Sequence, residues 1–420
     1  MKSNLFGVGV GYSEVDRLAS IVGCRAAKFP FVYLGLPVGE NMGRLKRWDR
    51  LVEKFRNRLA TWKVNSLSIG GLVVLMKSVL GGLGIYYLSL FIMPVAIAKK
   101  LESLRSCFFW GGMEKDRKLA WVSWDQVMAK KVKGGLEIGS LVSFNMALML
   151  KWKWRFFTSQ HLLWARLIKA LYGQNGRFFK TGKPAVGTSP WSRIIAVEVK
   201  MQALGVVPQK TLCRRVGNGQ DTRFWEDCWI GEAPLVNLFP RLATLEADRH
   251  CDLCCSEDPD KWVLDISTDG SFSVAETRKW IDDLVLPQGI GIMRWCKLVP
   301  GKVNVFVWRM LLDRIPTRAA LSSRGIEINS IMCPICGVEL EQIGHLFCLS
   351  DFATCVSELV FRWLQLPSYG AVHPREFFQK LDEGMLNVKQ KLVVDSGGSR
   401  GGLVEAMVPP LSILIVIFYR

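Results

Sequence analysis

The sequence predicts a mainly α chain with small β elements, an α+β fold, on three observations. Apolar residues recur at spacings of three and four through long stretches of the first 172 residues. The pattern shifts to short strands and turns between about 212 and 275, and helical spacing returns at 274–284 and 303–313. Half of the 420 residues are apolar, with 16 Trp and 22 Phe, which is too much apolar side chain for a disordered polypeptide. The length suits two or three domains, each with its own core.

Residues 31–39 read as a short apolar strand, with Tyr33-Leu34-Gly35-Leu36-Pro37 closing in a turn. An amphipathic helix follows, in which Trp48, Leu51, Val52, Phe55, Leu59 and Trp62 share one face. Arg50, Lys54 and Arg58 are four apart and form a cationic ridge on another face, either an ordinary solvated side or a track for a phosphate backbone. Helical spacing continues through 71–110, broken by glycines and Pro94. The uncharged run between Lys77 and Lys99 is long enough to span a bilayer. Its Gly81, Gly82, Gly84, Ser89 and Pro94 fit a turn between buried elements better, so no membrane span is expected. Residues 110–140 are turn-rich, and 142–172 are helical again, with Leu163, Leu167 and Leu171 on one stripe and Arg166 and Lys169 on another. Arg215-Val216-Gly217-Asn218-Gly219 reads as a turn. The stretch 394–420 ends in an apolar run too short to cross a bilayer, and no repeat of solenoid length is present.

The net charge of +18 is unevenly spread. Residues 1–231 hold 36 Lys/Arg against 14 Asp/Glu, a net of +22, whereas 232–420 hold 19 against 23, a net of −4. A long basic region implies a polyanionic partner, RNA or DNA, because each neutralised phosphate releases counterion; the plain alternative is a basic surface tuned for solubility. The 12 cysteines form no regular secreted framework and no signal segment opens the chain, so reduced thiols in nucleus or cytoplasm are expected.

The densest basic segment runs from Lys130 to Lys183, with eleven cations (Lys130, Lys131, Lys133, Lys151, Lys153, Arg155, Arg166, Lys169, Arg177, Lys180, Lys183) and one acid, Glu137. Trp152, Trp154, Phe156, Phe157, Trp164, Tyr172, Phe178 and Phe179 are interleaved with them. The cations are read as phosphate contacts and most of the rings as core rather than stacking surfaces. A second signal is Cys333-Pro334-Ile335-Cys336 followed by His345 and Cys348. Two thiolates on one tight turn, with a His and a further Cys a short loop away, can complete a tetrahedral structural zinc site; the alternative is unligated buried cysteines. Two patterns are set aside. His250 to Cys255 contains Cys-x2-Cys without a second ligand pair. Trp280-Ile281-Asp282-Asp283 matches the aromatic-x-Asp-Asp turn of polymerase palms, yet Ser273 to Trp280 reads as a helix start and no upstream strand carboxylate pairs with it.

The chain resembles the C-terminal part of reverse transcriptases encoded by plant non-LTR (LINE-type) retrotransposons. The likeness rests on Lys2-Ser3, Tyr33 to Pro37, Trp62 with Leu67-Ser68-Ile69-Gly70-Gly71 and Lys77-Ser78-Val79-Leu80, Phe109-Trp110-Gly111-Gly112 and Ala120-Trp121-Val122-Ser123-Trp124. It continues through Lys133-Gly134-Gly135-Leu136, Phe224-Trp225, Trp229-Ile230-Gly231, Trp295, Pro300, Lys302, Val303, Phe306, Trp308-Arg309 and Arg314-Ile315-Pro316-Thr317 to the Cys333 knuckle. These signatures cover about residues 2–365, in the family's order.

The resemblance implies a helical thumb and connector followed by a small helical zinc-binding domain: a remnant of the palm edge at 1–40, a thumb-like basic region at 41–185, a connector with short strands at 186–270, a reverse-transcriptase zinc-binding domain at 271–365, and a non-family, poorly ordered tail at 366–420. In similar proteins the metal-binding Asp-Asp turn lies upstream of the Lys-Ser position. The resemblance therefore implies a fragment of an RNA-directed DNA polymerase that binds nucleic acid, has no catalytic residues and is inactive alone, with magnesium needed only by the intact parent enzyme. It implies neither a membrane nor a small-molecule partner. The competing reading is a host interaction module retaining only the zinc-binding domain. One departure bears on the metal: similar proteins complete the site with His-x4-Cys, and that position here is Ser350, with Cys348 two residues early. Either Cys348 substitutes or the site is weakened.

Overall fold

A computed structural model describes residues 3–60, 67–112, 118–178, 189–203, 212–220, 222–227, 229–231, 234–245, 258–264, 266–267, 269–287, 300–363 and 370–376, with single positions 289, 295 and 379. In chain order the regular elements are β1 (Asn4–Phe6), α1 (Tyr12–Val22), β2 (Arg25–Ala27), β3 (Phe31–Tyr33), β4 (Leu36–Val38), α2 (Asp49–Ala60), α3 (Ile69–Leu75), α4 (Ile85–Leu90), α5 (Val95–Phe109), α6 (Trp124–Met128), α7 (Leu141–Thr158), α8 (Leu163–Tyr172) and α9 (Pro190–Ala203). There follow β5 (Leu212–Arg215), α10 (Leu235–Leu238), α11 (Pro240–Leu245), β6 (Lys261–Leu264), α12 (Val274–Val285), α13 (Gly301–Leu311), α14 (Arg318–Ser322) and α15 (Asp351–Trp363). The chain is thus mainly α with small β elements. Each sheet among the described residues has two strands: β1 with β2 in parallel, β3 with β4 and β5 with β6 antiparallel. The stretch 31–39 is a hairpin rather than one strand, because Leu34 and Gly35 both adopt positive φ and reverse the chain between Tyr33 and Leu36.

The described residues fall into two compact units, one within Met1–Thr61, Gly81–Leu104 and Gly139–Leu286, the other within Trp62–Leu80, Arg105–Ile138 and Pro287–Arg420. The first is built around α7. Its buried residues lie all round the helix rather than on one stripe, as suits a central helix covered on several sides. Met146, Phe156 and Phe157 of α7 pack with Trp191, Ile194 and Met201 of α9, Ile281 of α12, and Leu212 and Leu264 of the β5–β6 ribbon. Asn145 is buried on α7 and fully used: its amide donates to the carbonyls of Leu88 and Phe91 at 2.6 and 2.9 Å and its oxygen accepts from Met93 N at 2.9 Å. One side chain thereby satisfies the end of α4 and the turn after it. Asp260 does the same for the glycine turn, accepting from Gly217 N and Gly219 N at 2.6 and 3.0 Å and from the Thr222 hydroxyl at 2.6 Å.

On α2, Trp48, Leu51, Val52, Phe55 and Leu59 are buried, as their spacing predicts; Trp62 lies outside the described residues. The apolar run between Lys77 and Lys99 resolves into a π turn (Met76–Leu80), α4 and the start of α5, and no helix among the described residues is long and apolar enough to cross a membrane. The 394–420 tail lies outside the described residues.

In the second unit α13 meets α3 at a close backbone approach: a Cβ on Gly70 would stand 2.8 Å from the Gly301 carbonyl carbon. Trp308, buried on α13, donates to Gly134 O at 2.8 Å. The guanidinium groups of Arg309 and Arg324 both lie over the Trp121 ring, 5.6 and 4.5 Å from its centroid. Arg324 also bonds the carbonyls of Ala120 and Trp121. The residues before Ile138 and those after Pro300 therefore share one structure although they are far apart in sequence. α12, which the sequence places at the entry of the zinc-binding domain, packs on α7 in the first unit.

Candidate metal centre

Cys333 and Cys336 sit at the tip of a short hairpin. Met332 bridges Leu340, Cys333 N donates to Glu339 O at 2.7 Å, and Glu341 N donates to Ile331 O at 3.0 Å. Gly337, at φ 72°, turns the chain after Cys336 and returns its N–H to Cys333 O at 2.8 Å, a conformation that favours glycine. The hairpin is anchored by α14: Arg318 N donates to the Glu341 carboxylate at 3.1 Å, and the Arg318 guanidinium reaches Met332 O at 3.0 Å. Thr317 caps that helix, its hydroxyl accepting from Ala320 N. His345 follows on a π turn (His345–Leu349) that is seated by Ile343, which packs with Met310 and Ile315, and by Phe347 against Phe306.

The two sulfurs and one ring nitrogen of Cys333, Cys336 and His345 all lie within 4.8 Å of one another. Among the described residues no other group of three His, Cys, Asp or Glu side chains converges so. The Cys336 sulfur is 3.4 Å from His345 Nε2. Zinc bonds of roughly 2.3 Å to sulfur and roughly 2.05 Å to nitrogen set a tetrahedral S–N edge of roughly 3.5 Å, so this pair fits the ion. The backbone amides of Glu339 and Val338 donate to the Cys336 sulfur and hold its thiol below the ordinary value, favouring the thiolate that binds metal. Cys333 is buried and Cys336 exposed.

Cys348, the fourth expected ligand, is not in this group. Burial, and then the Glu376 carboxylate, push its thiol up to about 11. Ser350, at the position where similar proteins carry the last cysteine, is buried, and its hydroxyl accepts from Ala353 N at 3.2 Å at the start of α15. Three of the four expected ligands are thus brought together, and the π turn that bears His345 closes from Ser350 N to His345 O at 2.8 Å. The His250–Cys255 pattern lies outside the described residues.

The expected nucleic-acid-binding cations are placed differently from one another. Arg50, Lys54, Lys151 and Arg166 are exposed. Lys130, Lys131, Lys133, Arg155 and Lys169 are half-buried, with Lys131 over the Trp295 ring and Arg155 against Trp152 and Trp164. Arg58 is exposed on the same face of α2 as Arg50 and Lys54. Lys153 does not fit a phosphate contact: it is buried and ion-paired with the equally buried Glu198 of α9. Composition could not separate it from its neighbours, because α7 buries residues all round. Phe156, Phe157 and Phe178 are core residues, Trp152, Trp154, Trp164 and Tyr172 pack against that core, Arg177 is exposed, and Phe179, Lys180 and Lys183 lie outside the described residues. Asp282 lies on α12, not in a strand-flanked turn, and accepts from Ser140 N at 3.2 Å. Sequence reasoning missed the amides that support Cys336, since backbone donors leave no residue signature beyond Gly337.

A cysteine–histidine knuckle in a helical chain is a group that could hold a metal ion, and the residues that carry it match the family described as zinc-binding in reverse transcriptase, over 287–356. The match begins where the second unit takes up the chain again, at Pro287. A protein of Arabidopsis thaliana provisionally named a ribonuclease H protein is 24% identical over 356 residues, covering 74% of this chain and 55% of the relative. An uncharacterized mitochondrial protein of the same plant is 32% identical over 161 residues, 37% of this chain and 98% of the relative. The chain thus spans about half the length of the first of these relatives. It belongs to the reverse-transcriptase family of retroelement proteins.

Proposed function

We propose that this chain is the nucleic-acid-binding part of a plant non-LTR (LINE-type) retrotransposon reverse transcriptase, acting in nucleus or cytoplasm, and that it does not itself polymerise. The observation that carries the reading is the convergence of Cys333, Cys336 and His345 on one point inside the matched zinc-binding region. Zinc bound there would supply structural cross-linking, tying the knuckle hairpin to the turn that bears His345. Two backbone amides lower the Cys336 thiol below its ordinary value, and His345 offers Nε2. The basic part of the chain supplies the second half of the reading: Arg50, Lys54, Arg58, Lys151 and Arg166 face solvent and can lie against phosphates.

Filter binding of RNA and duplex DNA across a salt series tests the first claim. Affinity that falls steeply with salt is expected, and salt-insensitive or absent binding rejects the nucleic-acid role. Primer extension with Mg²⁺ tests the second: template-directed extension by this chain would place a polymerase centre within it.

A further inference from the structure

We propose that the metal centre of this chain is a three-ligand site, held by Cys333, Cys336 and His345, whose fourth coordination position takes an exchangeable small donor, water or a soluble thiol. The inference rests on the zinc reading above and departs from the closed, four-ligand sites that purely structural zinc occupies.

Three observations carry it. First, the residue two positions beyond Cys348 is committed elsewhere: the Ser350 hydroxyl accepts from Ala353 N, and its carbonyl accepts from Thr354 N at 2.9 Å, so both serve the first turn of α15. Second, Cys348 lies outside the group in which the ligand atoms of the other three stand within 4.8 Å of one another, although it sits on the same π turn as His345. Third, two further ligand-type side chains of the same unit are engaged with other partners. Glu341 is paired with Arg318, and His373 Nε2 lies 2.6 Å from Asp313 Oδ1. The site is also reachable from solvent, because Cys336 is exposed and the adjoining Ile335 and Val338 stand outward on the same hairpin. A soft cation with two thiolates and one imidazole accepts a further thiolate readily, and a small thiol can approach from this side.

The test uses the full chain, stripped of metal under a non-thiol reductant and titrated with cobalt(II). A tetrahedral ligand-field spectrum is expected, with the charge-transfer intensity of two thiolates, unchanged in Cys348→Ser. Added 2-mercaptoethanol should shift it saturably toward three-thiolate intensity. A three-thiolate spectrum in the unsubstituted chain, losing one thiolate in C348S, would make Cys348 the fourth ligand and overturn the proposal while the zinc reading stands. If no tetrahedral spectrum forms, or Cys333→Ser leaves it unchanged, the zinc reading fails and the proposal with it. X-ray absorption of the zinc-loaded, unsubstituted chain reads the same question without a variant: two sulfur scatterers support the proposal and three overturn it.

Discussion

Lys153 and Glu198 face each other inside the first unit, each almost wholly removed from solvent. A buried pair gains little over apolar residues of the same size, yet losing one member leaves a charge stranded. Glu198→Gln is therefore expected to lower stability by about 3–5 kcal/mol in chemical denaturation, and the double change Lys153→Met, Glu198→Leu to recover most of that loss. Neither should weaken RNA binding beyond the effect of unfolding. Asp282 gives a pH dependence of defined sign. Burial raises its pKa, outweighing the lowering pull of the Ser143 hydroxyl, Arg278 and the Ser140 amide. The folded state then holds the proton more tightly than the unfolded state, so stability is lost as pH rises from the ordinary carboxylate range through the raised value. Asp282→Asn keeps an acceptor for Ser140 N and removes the charge. Its denaturation midpoint should exceed that of the unsubstituted chain at neutral pH, and the advantage should vanish on acidification; an advantage that grows in acid would contradict the burial argument.

Among the elements, the Lys133-Gly134-Gly135-Leu136 segment shows why a short motif has its composition. Gly134 ends a 3-10 turn at φ 74° and offers its carbonyl to Trp308. Gly135 passes so close to α6 that a Cβ there would stand 2.1 Å from Ala129 O. The following residues knit to the same place, Leu136 N to Val127 O at 3.0 Å and Glu137 N to Ala129 O at 2.7 Å. Gly135→Ala is expected to cost about 1–3 kcal/mol or more, because backbone must move, whereas Gly134→Asn should cost about 1 kcal/mol or less, since asparagine tolerates positive φ. Thermal unfolding of the two variants separates steric from conformational demand. α8 teaches the opposite lesson. Its Leu163, Leu167 and Leu171 stripe, 80%, 58% and 67% exposed, faces solvent, while Ala165 with the flanks of Trp164, Ile168 and Tyr172 turns inward. Helical spacing identified the stripes but not which one the core would take.

For the molecule as a whole, the proposed partner follows from the +22 carried by residues 1–231 rather than from any single contact. Arg50, Lys54 and Arg58 are exposed on a helix whose other face is buried. Replacing all three with Gln should lower the slope of log affinity against log salt for duplex DNA by about 2–3 if they rest on phosphates. An unchanged slope would assign them to an ordinary solvated face. The two compact units draw on interleaved parts of the chain, so a cut at 271 would separate α12 from α7 but would also deprive the second unit of residues 67–80 and 105–138.

The sequence by itself determined what is local. Periodicity located the helices, glycine and proline marked the turns, and the Cys-x2-Cys spacing pointed to the knuckle, since each depends on residues within a few positions of one another. The family signatures added the retroelement kinship. Tertiary structure alone decided what depends on distant partners: that Lys153 meets Glu198 and not solvent, that Asn145 and Asp260 serve remote backbone groups, and that Cys348 falls outside the group formed by Cys333, Cys336 and His345. Spacing constrains which side chains share a turn, but burial and convergence in space are set by how whole elements pack, and that information lies in no short window of the chain.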